Sequence, residues 1–134
     1  ATKNRAAVPK EKQAWLGINT KAIGPEEITK FQEHEVKGLP ETDVSGYLVV
    51  GVVVGSPAGT AGLRPTARKH GSKGSNPEDF SSVGDIIIEI DGQPAMGRFS
   101  SYLATRQAGD TVSLKIMRNG KFETLTVSLA LRPN

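Results

Sequence analysis

The hydrophobic positions along this chain fall into two kinds of pattern. The densest run is Ile86-Ile87-Ile88-Glu89-Ile90, set between Gly84-Asp85 and Asp91-Gly92. β-Branched side chains lose χ1 freedom in a helix and pack well on a pleated surface, so this run predicts a strand. It is short and apolar on both faces, which places it in the middle of a small sheet. Gly84 suits the positive φ of a tight entry turn, and Asp91-Gly92 is a strong exit-turn signal. Tyr47 to Val54 is a second apolar strand. Residues 111–118 alternate, with Val112, Leu114 and Ile116 on one face. Asn119-Gly120 is the strongest hairpin signal in the chain, and residues 121–129 return with Leu125, Val127 and Leu129 inward. Order is expected to begin at Ala14-Trp15-Leu16-Gly17-Ile18, a first strand bulged at Gly17.

Helical spacing is weaker and shorter. Gly24-Pro25-Glu26-Glu27 opens one helix, since proline is favoured at the first helical position and acidic residues near a helix N-terminus. Ile28, Phe31 and Val36 give it an apolar stripe, and Gly38-Leu39-Pro40 stops it. Ser56-Pro57 to Gly62 carries the cap, first-turn and stop signals of a short helix. A third helix is expected over Arg98 to Gln107, where Phe99 and Leu103 share a face at i, i+4. The stretch from Thr66 to Ser82 fits neither period. It is rich in glycine, serine and lysine, and Phe80 is nearly its sole apolar residue. It reads as a long mobile surface insertion burying little, or as a docking element built on Arg68, Lys69, His70 and Lys73.

Composition narrows the function classes. A chain of 134 residues is one domain with a single core. It has no cysteine, which removes disulfides and thiolate chemistry. No apolar run approaches the roughly 20 residues of a membrane helix, so direct membrane insertion is not expected. The net charge of +3 resides in residues 1–13, where four basic side chains face Glu11; the remainder balances 13 basic against 13 acidic groups. Those first residues read as a flexible basic linker, residues 132–134 as an exposed tail, and a neutral body argues against nucleic acid. No secretory signal is visible, and a start at Ala1 suggests a processed form or an excised piece. His34 and His70 lie in polar surroundings with no metal-ligand spacing. No nucleophile elbow, phosphate loop or dinucleotide fingerprint occurs, so no catalytic site, metal or cofactor is expected.

Four motifs in order carry a resemblance. Trp15-Leu16-Gly17-Ile18, Gly55-Ser56-Pro57-Ala58 with Ala61-Gly62-Leu63, Gly84-Asp85-Ile86-Ile87 with Asp91-Gly92, and Gly109-Asp110 with Arg118-Asn119-Gly120 together resemble a PDZ domain. Their order is similar to that of the PDZ domains of HtrA/DegP-type serine proteases, and the likeness spans residues 14–131. Two departures are the insertion after Arg64-Pro65 and Trp15 where the family usually has tyrosine. The resemblance implies an α+β fold: a small, partly open β-barrel or sandwich of five to six strands with two to three helices in HtrA-type strand order.

It also implies a function. The domain would bind C-terminal or unfolded, extended apolar polypeptide segments by strand addition. Trp15, Leu16, Gly17 and Ile18 would form the carboxylate loop, Ile18, Asn19, Thr20 and Lys21 the edge strand, and Leu16 and Ile18 with Ser100 and Leu103 the pocket for the ligand's last side chain, with Phe99 facing groove or core, core being preferred. Plain core packing is the alternative role for Trp15, Leu16 and Ile18. The resemblance implies a non-catalytic domain attached to a serine endopeptidase and, for a bacterial HtrA-type parent, an extracytoplasmic, periplasmic or membrane-associated, setting. The alternative is a structural or assembly module with a blocked groove that mediates subunit or partner contacts through the insertion; an insertion folded across residues 16–21 would favour it.

Overall fold

A computed structural model describes residues 14–40, 44–74 and 76–131; the proposed linker 1–13 and tail 132–134 lie outside the described residues. Its elements are β1 (Ala14–Trp15), β2 (Ile18–Ile23), α1 (Pro25–Glu33), β3 (Gly46–Val52), α2 (Pro57–Ala61), β4 (Ala67–Arg68), β5 (Phe80–Ser82), β6 (Ile86–Ile90), β7 (Gln93–Pro94), α3 (Phe99–Leu103), β8 (Thr111–Arg118), β9 (Lys121–Ser128) and β10 (Ala130–Leu131). The main sheet is antiparallel and open, in the order β2-β3-β6-β8-β9, with β7 also paired to β6. This is the expected α+β architecture, and the isoleucine strand β6 lies at its centre.

Both faces of the sheet are covered, which explains why β6 is apolar without alternation. Neighbouring residues of one strand enter different cores. Val49, Ile87 and Ile116 join Leu16, Ala58 and Phe99 on one face. Leu48, Ile86 and Met117 join Ile23, Ile28, Phe31 and Phe80 on the other. Two adjacent residues belonging to opposite cores is the period of two at work. Each such side chain, fully buried, contributes about 1.5–3 kcal/mol.

Four details differ from the expectations. Residues 14–18 are not one bulged strand. The chain breaks at Leu16-Gly17, so that β1 pairs with β10 and β2 with β3. α1 ends at Glu33, earlier than Gly38. Glu35 adopts φ 58°, and the Val36 amide donates back to the Phe31 carbonyl at 3.0 Å, which returns Val36 to the core. α3 covers only Phe99–Leu103, because the Thr105 hydroxyl donates to the Tyr102 carbonyl at 2.6 Å and the Arg106 carbonyl is turned to accept from Ala14 at 3.0 Å; local hydroxyl bonds compete with helix continuation. At Gly84 the requirement is space and not positive φ: a Cβ there would lie 2.4 Å from the Arg64 oxygen.

The insertion is the largest correction. Most of its described residues are exposed, as expected, but it is structured and it buries Thr66 and Phe80. β4 and β5 pair antiparallel, a 3-10 turn spans Pro77–Asp79, and Phe80 is fully buried. The Phe80 ring meets Phe31 edge-on at 5.9 Å. The insertion is also anchored at its start. The Thr66 hydroxyl donates to the Val49 carbonyl at 2.9 Å and accepts from the Gly84 amide at 2.9 Å.

Candidate functional site

The candidate site is a groove between β2 and α3, closed at one end by the Leu16-Gly17 link. Gly17 shapes that end. Its φ is 85°, and a Cβ would sit 2.2 Å from the Cβ of buried Ser56. Only glycine fits both constraints. Ser56 caps α2 by accepting from the Gly59 amide at 3.2 Å, so the link rests directly on the start of that helix.

The link's carbonyls face inward. The Leu16 carbonyl accepts from Ala58 at 3.0 Å and the Gly17 carbonyl from Val53 at 2.8 Å. Every peptide bond described is trans. A planar trans peptide sets its N–H opposite its C=O, so the amides of Gly17 and Ile18 point the other way, toward the groove. The Val53-to-Gly17 bond also makes Ile18 and Val52 a non-hydrogen-bonded pair of the ladder. The backbone groups of Ile18 therefore turn away from β3. The register irregularity beyond Asn19 leaves β2 continuous and skips Val50 on β3. By alternation, Thr20 and Ala22 also present their backbone outward, on an edge that pairs with no other strand among the described residues.

α3 forms the facing wall. Its start is held by the Gly97 amide donating to the Tyr47 hydroxyl at 3.1 Å and by the Tyr47 and Phe99 rings at 5.5 Å. Beyond it, the Tyr102 hydroxyl donates to the Asp91 carboxylate. The bond from Ala14 to Arg106 ties β1 to the segment after α3 and sets the spacing of the two walls.

The groove encloses about 270 Å³. Of the sequence-derived residues, the fold brings Trp15, Leu16, Gly17, Ile18, Thr20, Ser100 and Leu103 together around it. Asn19 is exposed and is not among its lining residues; alternation turns its side chain to the other face of β2. Leu16 is buried, so it serves core and groove together. Phe99 does the same: it belongs to the core and also lines the groove. Ala14 and Ala104 line it too and were missed. Ala104 was readable, since Ser100, Leu103 and Ala104 share one helical face. No described lining residue carries an ionisable side chain, so any charge recognition at the closed end falls to backbone amides.

A second missed feature supports the loop from behind. Asp85 is fully buried. It receives two bonds from Arg118, at 2.8 Å from Nε and 2.7 Å from Nη2, and one from the Arg64 amide at 2.8 Å. The same Arg118 Nη2 donates to the Gly62 carbonyl at 2.8 Å. The hydrogen bonds that Arg118 donates to Asp85 raise its pKa against the opposing effect of burial, so the guanidinium stays charged. This bidentate pair fixes the end of α2, and α2 fixes the Leu16-Gly17 link. Sequence reading took Gly84-Asp85 as a turn signal and as one of the motifs of the resemblance, and gave Asp85 no partner.

This fold and groove define the class. The PDZ domain model matches residues 15–129, and the chain belongs to the PDZ domain family. Its PDZ domain is of the HtrA type. A probable periplasmic serine endoprotease, DegP-like, of Marinomonas sp. (strain MWYL1) is 30% identical over 127 residues, covering 93% of this chain and 22% of that protein. A protein of the same description from Pseudomonas putida (strain W619) is 27% identical over 127 residues, covering 93% and 21%. The chain thus spans about a fifth of the curated relatives it matches. Among solved structures, the HtrA-type protease AlgW with a decapeptide is 33% identical with a TM-score of 0.63, covering 92% of this chain and 30% of that one. AlgW with a tripeptide is 30% identical at a TM-score of 0.59, covering 91% and 33%.

Proposed function

We propose that this domain captures C-terminal or extended apolar polypeptide segments by adding them as a strand to β2, and that it is the substrate-binding, regulatory domain of an extracytoplasmic HtrA-type serine protease. The observation that carries this reading is the orientation of the Leu16-Gly17 link. Its two carbonyls are consumed by Val53 and Ala58, which leaves the Gly17 and Ile18 amides directed at the closed end of the groove. Converging backbone amides suit a terminal carboxylate, and an unpaired strand edge suits an extended main chain. Trp15, Leu16, Gly17 and Ile18 form the carboxylate end, Asn19 and Thr20 belong to the pairing strand, and Ser100 and Leu103 flank the terminal apolar side chain. Solved structures of the HtrA-type protease AlgW with peptides support the same reading. Proteolysis would belong to an attached domain, since the PDZ module itself is not catalytic.

The blocked-groove alternative is disfavoured. Among the described residues, none of the insertion lines the groove; Asn76 and Pro77 lie instead against α1 and Lys21. Titrating the labelled domain with a peptide ending in an apolar residue, followed by amide chemical shifts, tests the proposal. The expected changes centre on Trp15 to Lys21 and Ser100 to Ala104. Changes confined to other surfaces would overturn the assignment.

A further inference from the structure

A second pocket lies on the other face of β2, at the same open edge. It encloses about 290 Å³ between Lys21 and Ala22 of β2, Glu27, Lys30 and Phe31 of α1, and Asn76-Pro77 of the insertion. We infer that this pocket reads an acidic side chain on the bound polypeptide, three residues before its terminal one. The inference rests on the strand-addition reading above.

Parity alone assigns the position. A ligand whose carboxylate sits at Gly17 and Ile18 and which extends along β2 runs antiparallel to it. Its terminal side chain enters the groove beside Ile18, on the α3 face. Side chains alternate along a strand, so the first, third and fifth residues before the terminal one face the opposite side. On β2 that side is marked by Ile23, which packs with Ile28 and Phe31 of α1. The first of these ligand residues passes Asn19 and the third passes Lys21. The third residue therefore stands over the pocket.

Charge assigns the chemistry. Lys21 and Lys30 make no ion pair among the described residues. Glu27 is already engaged, its Oε1 accepting from the Gly24 amide at 2.7 Å as part of the α1 cap. Two cations against one committed carboxylate leave the pocket positive. The insertion supplies its far wall, which gives that segment a role in selecting ligands as well as in packing.

Octapeptides with one shared apolar C-terminus test this by titration calorimetry, with Glu, Ala or Lys at the third residue before the terminal one. Glu is expected to bind about fivefold more tightly than Lys, with Ala between, the scale of a partly exposed ion pair. Moving Glu to the fourth residue, on the α3 face, should remove the advantage. Lys30→Glu, an exposed change, should abolish or reverse the Glu-over-Lys preference. Equal affinities for the three peptides, or a preference unchanged in Lys30→Glu, would overturn the pocket's role. If the free carboxylate still mattered in that case, strand addition itself would stand. Failure of every peptide to bind would remove both.

Discussion

Two residues hold the groove's closed end, and each makes a distinct demand. Gly17 combines a left-handed φ with a Cβ direction that points into Ser56. Gly17→Val is expected to destabilise the domain by about 1–3 kcal/mol through backbone strain alone, and to weaken peptide binding further as the link shifts off α2. Urea unfolding with peptide titration of the same variant separates the two effects. Wild-type stability in Gly17→Val would contradict the geometry described. Asp85 acts at a distance from the groove. Its removal leaves Arg118, whose side chain is 13% exposed, without its main partner, and strands the Arg64 amide. Breaking a buried pair in this way costs about 3–5 kcal/mol. Asp85→Ala should lie near that range by chemical denaturation. Asp85→Asn, which keeps the shape and one acceptor, should cost less.

At the scale of elements, the strands were the legible part. The β6 isoleucines, the alternating β8 and β9 and the Asn119-Gly120 turn are where expected, because period two and turn chemistry are local properties. Helix ends were less legible. α3 stops after Leu103 because Arg106 must bond to Ala14, a partner far away in sequence. The groove wall was readable from Ser100 and Leu103, and Asn19, taken as part of the edge strand, lies in β2 with its side chain turned by alternation to the other face. The insertion's exposure was legible, but its strand pairing and its anchor were not. Its composition is polar, and one residue, Phe80, decides its behaviour by packing on Phe31. Phe80→Ala is therefore expected to cost about 3–5 kcal/mol, the range for emptying a buried phenylalanine site. Thermal or urea unfolding would check this, and a loss below about 1 kcal/mol would show that the insertion does not contribute to the core.

At the scale of the molecule, the sheet divides the domain into two cores, and the β2 edge is exposed between them. One side of that edge holds the α3 groove, the other the α1 pocket with the insertion. The Asp85–Arg118 pair, α2 and the Leu16-Gly17 link form one connected support for the point where these surfaces meet. The central claim is that this support aims the Gly17 and Ile18 amides at a polypeptide's terminal carboxylate. The most direct test compares two otherwise identical peptides by calorimetry, one a free acid and one amidated at its C-terminus. The free acid should bind with about −6 to −8 kcal/mol, the range for a small interface that orders a flexible peptide. Amidation should weaken it by about 1.5–3 kcal/mol, the worth of hydrogen bonds to a charged group. Equal affinity of the two forms would contradict the claim, since it would mean that the amides at Gly17 and Ile18 do not receive a carboxylate.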